Sequence, residues 1–74
     1  MPASESKKAT MAQKMAFRAA VRKAAVDEAK RTSAYAVAKR LGVSKRIVEF
    51  WTSGSWPSYA TSLRLAPLLG VKVP

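Results

Sequence analysis

Between Ser44 and Ser53 the chain carries Lys45, Arg46, Glu49 and Phe50, and each side chain has its own way of touching a nucleic-acid base. A cation bonds phosphate or the O6/N7 edge of guanine, a carboxylate accepts from cytosine N4, and a phenyl ring suits the thymine methyl. The two cations are also misplaced by local electrostatics. A helix starting after Ser44 puts Lys45 and Arg46 in its first turn, where the partial positive charge of the helix end makes each exposed cation cost about 0.3–1 kcal/mol. An arriving polyanion offsets that cost; without one, each is an exposed cation with no task. Glu49 has a plainer use as the ion-pair partner of Lys45 four residues back, in the weaker orientation for such a pair, and that use is preferred to base contact. Phe50 divides evenly between a groove-facing ring and one folded back onto Trp56 or into a dimer contact.

The composition removes most other chemistry. Cysteine and histidine are absent, which excludes disulfides, thiolate metal sites and the commonest general base. The four acids are Glu5, Asp27, Glu28 and Glu49. Asp27 and Glu28 are adjacent, and neighbours on a helix do not face each other, so no carboxylate pair for acid–base work is in prospect. Neither enzyme activity nor a metal or cofactor is expected. Fourteen Lys and Arg against four acids give a net charge of +10 over 74 residues, which suits a polyanionic partner. MPASESKK lacks the apolar core of a signal peptide, and no apolar run is long enough to span a bilayer; the cytoplasm is the expected location.

Four helices must position these residues. Residues 1–9 read as a disordered basic tail, and 10–74 as one domain. Thr10 with Gln13 fits a capping box that starts a helix near Met11, and neither Gly nor Pro intervenes before Arg31. Phe17, Ala20, Val21, Ala24 and Ala25 recur at three- and four-residue spacing as its apolar face. Lys14, Arg18 and Arg22 share a second face, expected to be mostly solvated; Met11 and Met15 read as a loosely packed edge. Ser33 caps a second helix, Ala34 to Leu41, and Gly42 supplies a left-handed turn position. Ser44 caps a third, Lys45 to about Thr52, ended by Gly54. Pro57 and Ser58 open a fourth, Tyr59 to about Leu69, closed by Gly70, with Pro67 expected to kink or shorten it. At about 100° per residue the third helix divides into a core face of Ile47, Val48 and Trp51 and a charged face of Lys45, Arg46, Glu49, Phe50 and Ser53. Trp51 is a core residue, and Trp56 is expected to pack over the end of the third helix rather than lie against a DNA backbone.

Two short helices joined by a Gly-centred turn, the second bearing basic residues on its first turn, form the helix-turn-helix arrangement. The stretch SAYAVAKRLGVSKRIVEFWTSG resembles that motif in the phage lambda repressor and Cro-type regulators. Ala38 stands at the family's small residue, Leu41-Gly42-Val43-Ser44 at its turn, and Val48, Trp51 and Gly54 at its later apolar and glycine positions. WPSYATSLRLAPLLGV resembles the family's next helix, so the likeness spans about residues 33–71. It implies an all-α fold: a small, lambda-repressor-like four-helix bundle containing a helix-turn-helix, here with a long first helix. It also implies a sequence-specific, double-stranded DNA-binding transcriptional regulator of a phage or other mobile element, occupying an operator through the major groove. The groove-facing positions fall on Lys45, Arg46, Glu49 and Phe50. Phosphate contacts fall on Ser44 and Ser53, with Tyr35, Lys39 and Ser55 added beside them. The family's frequent phosphate-clamping Gln is replaced by Ala34, leaving Tyr35 or a tail lysine to substitute, and Thr52 stands where an acid is common.

One short reading helix offers few base contacts, so a homodimer on DNA is expected, weakly associated or monomeric when free, with half-sites about one helical turn apart. No fifth helix is foreseen as its interface. The Val71–Val73 tail pairing as a short strand is the first choice, and the Met11/Met15 edge the second. An antitoxin or adaptor acting through a protein partner is the alternative reading, though no separate partner-binding tail is visible. A membrane-active cationic helix over 10–31 ranks last, because its apolar face is alanine-rich.

Overall fold

In the computed structural model, which describes residues 9–74, all regular structure is helical: α1 (Met11–Arg31), α2 (Ala34–Leu41), α3 (Lys45–Thr52) and α4 (Tyr59–Leu69). The basic tail expected over 1–9 lies outside the described residues apart from Ala9. Each helix starts where a side-chain oxygen can take up an orphan backbone N–H. Thr10 accepts from the amide of Gln13 while the Gln13 side chain accepts from the amide of Thr10. Ser33, Ser44 and Ser58 accept from the amides of Ala36, Ile47 and Thr61. Gly42 and Gly70 end α2 and α4 in the left-handed conformation, with φ of 71° and 69°, where a side chain would be strained.

The helix α1 packs against each of the other three, and α2 packs against α3. The core draws on all four: Phe17, Val21, Ala25 and Val26 from α1, Val37, Ala38 and Leu41 from α2, Val48 and Trp51 from α3, and Leu65 and Ala66 from α4. The apolar face of α1 sits as expected at Phe17, Val21 and Ala25, but Val26 replaces Ala20, which is exposed. Phe17 meets Tyr59 edge-on at 5.7 Å between ring centroids. Ser62, the one buried polar residue among those described, donates to the Ser58 carbonyl at 2.8 Å. No buried side-chain polar atom among the described residues lacks a partner, as a core this small requires.

One expectation changes. Pro67 does not shorten α4, which runs on to Leu69. Its missing donor is lost close to the helix end, where the amides of Gly70 and Val71 both close onto the Ala66 carbonyl. Buried Leu65 and Ala66 and the packed side chain of Leu69 hold that last turn in place. After Gly70, Val71 packs against the core while its amide completes the cap. Of the two apolar residues meant for strand pairing, Val73 alone is exposed.

Candidate nucleic-acid interface

The turn Gly42–Ser44 delivers α3 to the surface with one side anchored. Val48 is fully buried and Trp51 nearly so, and these two residues fix which side of α3 faces outward. Lys45, Arg46, Glu49, Phe50 and Ser53 are all exposed. The four residues assigned to base contact therefore lie together on one helix face. Lys45 Nζ lies 3.6 Å from Glu49 Oε2, the pairing preferred from their spacing. Arg46 makes no hydrogen bond or ion pair with another described residue, and stands beside the N-terminal amides of its own helix.

The residues assigned to phosphate are exposed as well: Tyr35 and Lys39 on α2, Ser44 at the start of α3, and Ser53 and Ser55 after its end. The Ser44 oxygen is engaged as the cap of α3, and its hydroxyl proton stays available to an acceptor. Ser53 closes α3, its amide reaching the Glu49 and Phe50 carbonyls. The Ser55 amide bonds the Phe50 carbonyl at 2.9 Å, so the loop after α3 is fastened to the helix it follows.

The basic row on α1 is a correction, because it is not solvated surface. Arg22 Nε donates to the Trp51 carbonyl at 2.9 Å and the Ser55 carbonyl at 3.0 Å. Arg18 Nε donates to the Pro57 carbonyl at 2.8 Å, and its guanidinium lies 5.8 Å from the centre of the Trp56 ring. Lys14 Nζ sits 5.1 Å from the centre of the Tyr59 ring. These three cations bind α1 to the end of α3, the following loop and the start of α4. Arg22 also places a positive charge where the partial negative charge of the α3 C-terminus lies. The acceptors of Arg18 and Arg22 are backbone carbonyls 29 to 39 residues away, which no side-chain pattern marks. The available signal was position: Lys14, Arg18 and Arg22 each lie next to a residue of the apolar stripe, or one turn before it, at the margin of the packed face.

Ile47 is the second correction. Its spacing places it on the core face, but it is 40% exposed, because it sits at the rim of that face next to Phe50. With Phe50, 52% exposed, and Trp56, 41% exposed, it forms an apolar flank alongside the charged face. Between this flank and the start of α4 runs an open groove of about 290 Å³, whose walls include Val43, Trp51, Thr61 and Arg64. Trp56, expected over the end of α3, lies instead against the Arg18 guanidinium of α1 and lines the groove.

Away from this face, Arg40 joins three helices. Its guanidinium pairs with both carboxylate oxygens of Glu28 and donates to the Leu68 carbonyl at 2.7 Å. The hydrogen bond from Arg40 holds the Glu28 carboxyl below its ordinary range and raises Arg40 in turn. Lys23, bonded to Asp27 at 2.9 Å, lowers that carboxyl similarly. Among the described residues no acidic cluster could hold a metal ion, and no helix is long and apolar enough to cross a membrane. No family model, curated protein or solved structure matches the chain.

Proposed function

We propose that this protein is a sequence-specific double-stranded DNA-binding transcriptional regulator of the lambda repressor and Cro type. In this reading α2, the Gly42 turn and α3 are its helix-turn-helix, and it works in the cytoplasm of a bacterial host. One observation carries the reading. With α3 anchored through Val48 and Trp51, its outward face presents Lys45, Arg46, Glu49 and Phe50 together, and Arg46 makes no hydrogen bond or ion pair with another described residue. A cation left unpaired at a positive helix end is disfavoured locally and becomes favourable once phosphate or a guanine edge arrives.

The mechanism is occupancy. Lys45 and Arg46 enter the major groove, with Arg46 as the principal base reader. Tyr35, Lys39, Ser44, Ser53 and Ser55 hold the flanking phosphates and set the register. Lys45 exchanges Glu49 for DNA, releasing the carboxylate to accept from a cytosine amino group. Two copies bind two half-sites about one helical turn apart, and the bound pair blocks polymerase or a competing regulator. Selection of bound sites from random duplexes tests this. A recovered motif with an inverted repeat is the expected outcome; recovery of random sequence at every salt concentration contradicts sequence-specific binding.

A further inference from the structure

The apolar flank of α3 is unexplained by a reading built on cations. Ile47, Phe50 and Trp56 are large, lie at neighbouring positions and keep about half their surface in water. Nothing in the packing requires this: Val48 and Trp51 already anchor the helix, and the groove beside the flank is open. Such a patch marks a surface that something apolar covers. Ile47 and Phe50 lie on the same helix as Lys45 and Arg46, and Trp56, in the loop that follows, shares the groove with them. Arg64 stands in the opposite wall of the groove, so the apolar strip is bordered by positive charge in a chain of net charge +10. An occupant must therefore offer small apolar groups on a polyanionic frame. Duplex DNA does so in its major groove, where the 5-methyl of thymine is the apolar feature of the base edges.

We propose that Ile47 and Phe50 read thymine through its 5-methyl group, with Trp56 closing the side of the pocket that receives it. The inference rests on the DNA-binding reading above and adds its base preference. The α3 helix is a divided reader: its N-terminal cations take guanine edges and phosphate, and its apolar flank takes thymine. A bound site then contains, in each half, a thymine adjoining the position read by Arg46. The methyl leaves water against Phe50 and Ile47, and its loss exposes both again.

The test uses the unaltered protein and the duplex recovered by selection, with each thymine replaced in turn by deoxyuridine, which deletes the methyl and leaves base pairing intact. The expected result is one or two positions per half-site where the replacement weakens binding about fourfold, the worth of one buried methyl group. Phe50→Ala should bind the thymine duplex more weakly and treat thymine and deoxyuridine alike at those positions. Because Phe50 is half exposed, the variant should keep its helical circular dichroism, and Ile47→Thr provides a second variant at the same wall. Selective duplex binding with no sensitivity to deoxyuridine at any position overturns the thymine assignment while leaving the regulator reading intact. So does sensitivity that persists unchanged in both variants. Absence of duplex binding altogether overturns both, and leaves the flank to a protein partner.

Discussion

Two rows of cations, on α1 and on α3, look alike in sequence and are used in opposite ways. On α1, Lys14, Arg18 and Arg22 recur every four residues and are taken up inside the molecule by carbonyls and aromatic rings. On α3, Lys45 and Arg46 sit at the helix end where backbone electrostatics disfavours them. Lys45 meets a single exposed carboxylate, and Arg46 makes no hydrogen bond or ion pair with another described residue. The positive charge that marks the whole chain is thus divided. The α1 row holds α3 at its C-terminal end and fixes the loop behind it, and the α3 pair is left facing outward. Net charge alone marks neither row as the binding one; what lies opposite each cation decides.

The largest effect is expected on the α1 side. Arg22→Ala removes a charged donor shared by two carbonyls, and should lower unfolding stability by about 1.5–3 kcal/mol, read from urea denaturation at constant m. Arg22→Lys should recover only part of this, because an ammonium on a flexible stem does not reproduce the planar donor. A loss no larger than that of an exposed surface substitution would break the comparison from this side. The converse is expected at Arg46. Arg46→Ala should leave stability within about 0.5 kcal/mol of the parent, yet weaken binding by about 1–3 kcal/mol with relaxed preference at one base position. Titration of the selected duplex and its single-base variants checks both parts. Lys14→Ala should change binding to all sequences slightly and equally; if it matches Arg46→Ala, the division of labour fails.

A smaller effect sharpens the phosphate side. With about 6 phosphate contacts per bound unit, log K against log salt should fall with a slope near −5, and Lys39→Ala should reduce that slope by about one. An unchanged slope would remove Lys39 from the interface. The smallest expected effect concerns Arg40 on α2, which like the cations of α1 is engaged by other residues of the fold. Its hydrogen bond depresses the Glu28 carboxyl below its ordinary 4.5. The stabilisation is therefore fully present above about pH 4.5 and is lost as pH falls through the lower folded-state value. The Tm difference between parent and Glu28→Gln should shrink on acidification below that pH, and a difference constant from pH 7 to pH 2 would contradict the pairing.

Much of the fold was legible because helix ends are chemically local. Thr10 with Gln13, Ser33, Ser44 and Ser58 name the starts, and Gly42 and Gly70 name two of the ends, through contacts within three or four residues. The outward face of α3 was legible for the same reason, since Val48 and Trp51 fix its rotation. Three features were not. Ile47 lies at the rim between two faces, where periodicity cannot choose a side and only the neighbouring groove does. The tasks of Arg18 and Arg22 depend on backbone carbonyls across the fold, and every residue has a carbonyl, so residue type carries no signal. Pro67 reads as a helix breaker, but its cost near the end of α4 is offset by the cap at Gly70 and the burial of Leu65 and Ala66.

The division between the two rows can be watched directly at the guanidinium groups. In a ¹⁵N-labelled sample titrated with the selected duplex, each arginine Nε–H reports whether its own partner changes. The account predicts that the Arg46 Nε–H and the amides of Ser44 to Phe50 shift on binding, while the Nε–H signals of Arg18 and Arg22 stay in place on their carbonyls. Movement of Arg18 and Arg22 with Arg46 unmoved would contradict it, and would put the binding surface on α1.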